Sequence, residues 1–294
     1  TPFSHGITAR IADEDLSAFD YVFCWLGNTD LLVSIIKLIE DKMNLEHDVA
    51  EVGVQLILLV EDGIRFYSSV LPNLYKFVLK QSQEFSTEAL NAHQRTLRMR
   101  GRPKIALART YEEAMELYEK YADNILGVIT DVRFPRKGEK DALAGIKLCS
   151  EIRKKDEFVP LIIQSSETEN KVYAARFNAS FIDKNSKKMN IDLRRAVSDN
   201  FGFGDFIFRN PDTMEEIARV RNLKELQNVV FAIPKESFLY HISRNHVSRW
   251  LYSRAMFPVA EFLKQITWDS LQDVDAHRRI IFDAIVKYRK MKNQ

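Results

Sequence analysis

A chain of 294 residues, 46% hydrophobic and 29% charged, is long enough for two ordinary domains and has a globular composition. Its 43 basic and 41 acidic residues leave a formal charge of +2, which excludes a general electrostatic pull toward nucleic acid or anionic membrane. Only Cys24 and Cys149 are present, which argues against a disulfide framework or thiolate metal site; no apolar run reaches the ~18 residues of a membrane helix, and TPFSHGITAR lacks signal-peptide order, so a reducing cytoplasm is expected.

In chain order, DYVFCWLGN (20–28) reads as a buried strand, DLLVSIIKLIEDKMN (30–44) as an amphipathic helix and EHDVAEVGV (46–54) as a linker. From Gln55 onward, short apolar runs alternate with helical patterns, the signature of βα units around a parallel sheet. The runs are QLILLV (55–60), KIALA (104–108), ILGVIT (125–130), VPLIIQ (159–164) and SFID (180–183), which predict a doubly wound, five-stranded α/β domain. Between them lie a long helix opened by Pro72, a second started by the capping box TYEE (110–113), and helices over 145–155, 169–178 and 190–202. After Gly204 the pattern predicts a short hairpin around a Pro-Asp turn and then a mostly helical region.

In such a sheet the crevice lies outside the carboxyl ends of the strands. Glu61 and Asp62 follow the first strand, Asp131 the third, Ser165 and Ser166 the fourth and Lys184 the fifth. Converging carboxylates repel one another without a cation, and their hard oxygens suit a partly hydrated Mg²⁺. A carboxylate beside that metal can attack a phosphoryl group, while Lys184 and a serine hydroxyl neutralise and hydrogen-bond the transferred oxygens; the product is an aspartyl phosphate.

These residues resemble the receiver domains of two-component response regulators, a flavodoxin-like fold. LLVEDG looks like their acidic pair, ITDVRFP like the strand carrying the phospho-accepting aspartate, IIQSSE like the strand ending in the switch hydroxyl, and FIDKN like the strand carrying the lysine. The resemblance implies phosphorylation at Asp131, Mg²⁺ bound by Glu61, Asp62, Asp131 and the backbone carbonyl of Arg133, Ser165 and Phe181 as switch residues, and Lys184 as the phosphate-binding lysine. It implies a histidine kinase or other phospho-donor as partner, and it leaves room for a homodimer. The sequence departs from the family in a longer spacing between Asp62 and Asp131, in Asn185 where proline is usual, and in an enlarged loop after Asp131, RFPRKGEKDALAG, long enough to cover the site.

TPFS, DYVFCWLGN and the following helix also look like the closing third of a second receiver, with Thr1 at its switch position. Cys24 and Trp25 stand where its lysine belongs, so this copy resembles a degenerate receiver. The expected division is therefore 1–48, part of that receiver with a linker helix; 54–204, the receiver; and 205–294, the helical region. GRPKIALARTYEEAMELYEKYADNILGVITDVRFP, NFGFGDFIFR and RNHVSRWLYSRAMFPVAEFLK resemble the N-terminal regulatory part of phosphoenolpyruvate synthase-like proteins, particularly of the Bacteroides group. That resemblance implies a catalytic region in cis, outside this chain. No Gly-rich nucleotide loop or phosphohistidine motif is visible here, so the chain itself is not expected to be the enzyme.

Other features favour plainer readings. The basic segment 94–104, with Arg95, Arg98, Arg100, Arg102 and Lys104, reads as a solvated helix end rather than a nucleic-acid grip, since it lacks aromatics for base stacking. His241 and His246 miss the i, i+4 spacing of a helical metal pair and read as ordinary helix residues. Phe238, Tyr240, Trp250, Tyr252 and Phe257 read as packing, and Phe201, Phe203, Phe206 and Phe208 as cement between the sheet domain and the C-terminal helical region. The competing function is a degenerate receiver that docks or dimerises without phosphorylation; a stand-alone hydrolase or phosphotransferase is disfavoured, because no general base is recognisable beside Asp131.

Overall fold

A computed structural model describes residues 19–25, 27–87, 101–266, 268 and 273–292. Its centre is a five-stranded parallel sheet built from β1 (Leu56–Val60), β2 (Lys104–Ala108), β3 (Ile125–Asp131), β6 (Leu161–Ser165) and β7 (Ser180–Asp183), in the order β2-β1-β3-β6-β7. Two hairpins stand apart from it, β4 (Phe134–Arg136) with β5 (Glu139–Asp141), and β8 (Phe206–Arg209) with β9 (Glu216–Val220).

Alternation along the strands divides the core into two layers. Leu56, Leu58, Val60, Val128, Leu161 and Ile163 face α3 (Tyr111–Lys120), α4 (Ala144–Lys155) and α5 (Lys171–Arg176). Ile57, Leu59, Ile105, Ile129, Ile162 and Ile182 face α1 (Asp30–Val52), α2 (Ile64–Thr87) and α6 (Met189–Asn200). Every residue of β1 is fully buried because both faces are covered, which is why LILLV has no polar interruption. The doubly wound α/β expectation therefore holds, and the five strands fall within two residues of the predicted runs.

Three local expectations change. Residues 20–28 do not form a strand of any of the three sheets among the described residues. Two of its backbone groups are bonded to α2 side chains instead: Ser68 Oγ accepts the Cys24 N–H at 3.0 Å, and Tyr67 donates its hydroxyl to the Val22 carbonyl. The segment 46–54 is no linker through most of its length. Its apolar spacing extends α1 to Val52, and Gly53, at φ 75°, takes the left-handed conformation that closes the helix, its N–H reaching the Val49 carbonyl. Pro72 lies inside α2 rather than at its start, since Tyr67, Val70, Leu71, Leu74, Tyr75 and Val78 carry one buried face through it.

The basic segment also differs from its reading. Arg102 and Lys104 are buried, not solvated. Arg102 donates to both oxygens of Asp41, at 2.6 and 3.1 Å, and Asp41 also accepts from Tyr75 and the Ile105 N–H; Lys104 pairs with Asp48 at 2.6 Å. This polar node fastens α1 to β2 and α2, and a buried charge survives there because every neighbour is a donor. Arg95, Arg98, Arg100 and Thr1 lie outside the described residues.

Beyond the sheet come the β8–β9 hairpin and α7 (Leu223–Val229), α8 (Lys235–Ser243), α9 (His246–Ser253), α10 (Phe257–Lys264) and α11 (Val274–Lys292). Phe201, Phe203, Phe206 and Phe208 are all buried in the layer shared with α2 and α6, the cementing role expected of them; Phe238, Trp250 and Tyr252 are buried there too. Phe201 lies over Gly127 of β3, where any Cβ would meet its ring at 2.2 Å. Arg254 stacks against Phe85 and Trp250 and donates to the carbonyls of Gly202 and Gly204 at 2.9 Å each, pinning the end of the sheet domain to α9.

Candidate functional site

β1 and β3 are neighbours in the sheet, so Glu61, Asp62 and Asp131 emerge side by side at their carboxyl ends. One oxygen from each of the three carboxylates lies within 4.8 Å of the others. Lys184 follows β7, two strands away, and its extended side chain brings Nζ to 2.5 Å from Glu61 Oε2 and 2.9 Å from Asp131 Oδ2. The same ammonium stands 4.3 Å from the centroid of the Phe66 ring, which shields it on one side.

Glu61 is only 1% exposed and its second oxygen accepts the Gly63 N–H at 3.0 Å. Burial, the largest influence, pushes the Glu61 carboxyl up to about 7, and the Asp131 charge pushes the same way while Lys184 opposes both. A Cβ at Gly63 would come within 2.8 Å of Glu61 Oε1, so a side chain there would push on the carboxylate.

Asp131 is held from several directions. Its Oδ1 accepts the Val132 N–H at 2.7 Å, and its own carbonyl accepts the Thr130 hydroxyl at 2.7 Å. The first turn of α4 presses against the same carbonyl at Gly145, where a Cβ would lie 1.9 Å away. Asp62 is paired with Lys140 of the β4–β5 hairpin at 2.6 Å. Arg133 sits exposed in the bend between β3 and β4.

Ser165 ends β6 and is buried, but it does not join this cluster: its Oγ accepts the Glu167 N–H at 3.0 Å and the Asn170 side chain at 2.9 Å, with no hydrogen bond to Asp131 or Lys184 among the described residues. Both acceptor positions of the hydroxyl are thus filled, which leaves its proton to be donated elsewhere. Phe181, in β7, is half-buried against the layer of α3, α4 and α5. Asn185 ties the loop after Lys184 to its neighbour by donating to the Ser166 carbonyl at 2.9 Å.

Lys140, Asn170, Phe66 and Gly145 carry no motif that sequence reasoning could use. Only the enlarged loop after Asp131 hinted at a covering element, and it folds as the β4–β5 hairpin. A set of three hard carboxylate oxygens at this spacing suits an oxygen-preferring divalent cation after small side-chain rotations, whereas the absence of His or Cys in the set disfavours a softer metal. The histidines lie elsewhere: His241 and His246 are on different helices, with their Nδ1 atoms 3.0 Å apart.

No protein-family model matches the sequence. No curated protein matches it either. Among solved structures, the chain is similar to a response regulator receiver domain protein from Clostridium thermocellum, at 20% identity over 50% of this chain and 94% of that one, with a TM-score of 0.35. It is similar to a chain of the CheX–CheY–BeF3–Mg complex from Borrelia burgdorferi, at 21% identity over 51% and 91%, TM-score 0.31. It is also similar to the response regulator TrrA from Thermotoga maritima in complex with Mg²⁺ and BeF, at 18% identity over 49% and 99%, TM-score 0.28. These structural neighbours are response regulator receiver proteins, and each covers about half of this chain.

Proposed function

We propose that residues 54–204 are a phosphoacceptor receiver of a two-component phosphorelay, with Asp131 as the phosphorylated residue. The observation that carries this reading is the meeting of Glu61, Asp62 and Asp131 at the ends of adjacent parallel strands, around the buried ammonium of Lys184. In the transfer an Asp131 carboxylate oxygen bonds to phosphorus as the bond from phosphorus to the donor's nitrogen or oxygen breaks, and that atom leaves with the electron pair. Lys184 neutralises the transferred oxygens, and Ser165 donates its remaining proton to one of them after a shift of the β6 end. Glu61, Asp62, Asp131 and the Arg133 carbonyl would hold Mg²⁺, which would supply charge neutralisation for the phosphoryl oxygens. Phe181 follows the Ser165 shift, and the face of α5, β7 and α6 carries the signal.

In the same reading a histidine kinase or another phospho-donor loads Asp131, and the target is a phosphoenolpyruvate synthase-like catalytic region in cis. The support for that target is sequence resemblance. The division into 1–48, 54–204 and 205–294 goes with it. Incubation with Mg²⁺ and acetyl phosphate is expected to add one phosphoryl mass to the wild type and none to Asp131→Asn; a wild type that gains nothing from acetyl phosphate or beryllofluoride ends the phosphoacceptor reading.

One observation favours the second reading, a docking module that is never phosphorylated. Each carboxylate already has an ammonium partner, Lys184 for Glu61 and Asp131 and Lys140 for Asp62, so the cluster is neutralised in part without metal. If this reading is right, Asp131→Asn leaves both assembly and the activity of the full-length protein unchanged.

A further inference from the structure

We propose that Lys140 is a built-in counter-cation that competes with the divalent metal for Asp62 and thereby sets the metal affinity of the acidic site. This inference rests on the metal-dependent reading above and adds a residue to it.

Lys140 Nζ lies 2.6 Å from Asp62 Oδ2, the one carboxylate of the three that Lys184 does not reach. The ammonium is delivered by an ordered element. Lys137 and Gly138, at φ 55° and 80°, form the two-residue turn of the β4–β5 hairpin, whose right-handed twist such left-handed residues match. At its base Phe134 is fully buried. At its tip the Lys137 N–H donates to Glu112 of α3 at 3.0 Å, and the Arg136 guanidinium lies 4.9 Å from the Tyr111 ring. On its return strand Asp141 accepts the Leu143 N–H at 2.9 Å and pairs with Lys147 at 2.6 Å.

A cation tethered this way is present at Asp62 at a high effective concentration, independent of the solution. A divalent metal that takes Asp62 Oδ2 must displace Lys140 from it, and one that takes Oδ1 meets the repulsion of the ammonium beside it. The anchors of the hairpin do not depend on Lys140, so the side chain can leave Asp62 without unfolding the element. Lys155 supplies the comparison: it has the same charge and a similar exposure, but its partner Glu119 is outside both the cluster and the hairpin.

The test is Mg²⁺ titration of the full chain by calorimetry, with Lys140→Gln, Lys140→Glu and Lys155→Gln. Lys140→Gln is expected to bind Mg²⁺ up to about fivefold more tightly than the wild type, the range that partly exposed ion pairs support. Lys140→Glu is expected to bind more tightly still, and Lys155→Gln like the wild type. Equal or weaker binding by Lys140→Gln beside a wild type that binds Mg²⁺ overturns the proposal and leaves the phosphoacceptor reading intact. Equal tightening in Lys140→Gln and Lys155→Gln also overturns it, because net charge rather than the Asp62 contact would then be responsible. No binding by any variant overturns both. A second readout is the NMR signal of ¹³C-methylated lysines, with Lys140 assigned by its loss in Lys140→Arg. That signal is expected to shift on Mg²⁺ addition, and a stationary signal overturns the displacement.

Discussion

Lys184 Nζ lies 2.5 Å from Glu61 Oε2, so the ammonium that follows β7 neutralises the carboxylate that follows β1 across 123 residues of sequence. Both side chains are almost wholly buried, at 3% and 2% exposure. Such a pair contributes little net stability, yet breaking it leaves a charge stranded in a poor solvent.

Lys184→Met is therefore expected to cost about 3–5 kcal/mol in chemical denaturation at pH 8. Glu61→Gln in the same background should recover a large part of that loss, because neither member of the pair is then left charged and alone. A double-mutant cycle measures the coupling directly, and additive losses would show that the two residues act independently.

Mg²⁺ is expected to raise the thermal midpoint of the wild type, since a ligand that binds only the folded state stabilises it by about 2.7 kcal/mol at 100 times its Kd. For a chain of this size that is a rise of several degrees. Asp62→Asn and Asp131→Asn each remove a carboxylate from the set and should reduce the shift, measured by scanning calorimetry with and without the ion. Ca²⁺, which accepts looser oxygen geometry, is a useful comparison. A midpoint that ignores both ions would argue against a metal site here.

Gly145 is the third point at which the site can be tested. A Cβ there meets the Asp131 carbonyl oxygen at 1.9 Å and the Val132 Cα at 3.0 Å, all backbone atoms that no rotamer change can clear. Gly145→Ala should destabilise the protein by about 2 kcal/mol or more, despite the better helix propensity of alanine, because α4 or the end of β3 must move. The displaced segment carries Asp131, so the variant should also lose most of its Mg²⁺-dependent stabilisation. Urea denaturation with and without the ion separates the two effects. A stable Gly145→Ala with normal metal response would mean that the strand end yields easily.

Much of this site is legible in the sequence because a parallel sheet puts its strand ends on one rim, and the runs before Glu61, Asp131, Ser165 and Lys184 mark those ends without ambiguity. The inner strands are readable because burial on both faces keeps their runs largely apolar, whereas the half-buried edge strand Ser180–Asp183 is marked by its place between two helical patterns. The hidden part depends on meetings between distant segments. Nothing about Asp41 or Arg102 announces that each is the other's buried partner across 61 residues, so a basic run reads as solvated. Residues 20–28 have the composition of a strand, but the Cys24 N–H and the Val22 carbonyl are taken by α2 side chains. Lys140 reads as one charge in a charged loop, and only the hairpin register and its anchors bring it to Asp62.

His241 and His246 form a hydrogen-bonded pair whose protons can be assigned. The Arg209 N–H donates to His241 Nε2 at 2.9 Å, so the proton of His241 is on Nδ1, which points at His246 Nδ1. Each ring is therefore neutral, and a metal between the two Nδ1 atoms would have to displace that proton. Burial, helped by the charges of Arg209 and Arg244, lowers His241 to about 4; burial, with Arg249, His241 and Arg244 adding to it, holds His246 well below its ordinary range. In the unfolded chain both imidazoles titrate near 6.5. Between about pH 6.5 and 4 the unfolded state thus binds more protons than the folded one, and stability falls as the pH falls through that window. His241 alone should account for a loss of roughly 2–3 kcal/mol by pH 4.5 relative to pH 8, and His246 adds to it in the same direction. His246→Phe removes one titrating ring and leaves the His241 Nδ1–H without its acceptor, so it should be less stable than the wild type at pH 8 by about 1–2 kcal/mol. It should also show a shallower decline toward acid. Urea denaturation at several pH values measures both, and parallel pH profiles for the two proteins would show that the histidine pair does not govern the acid response.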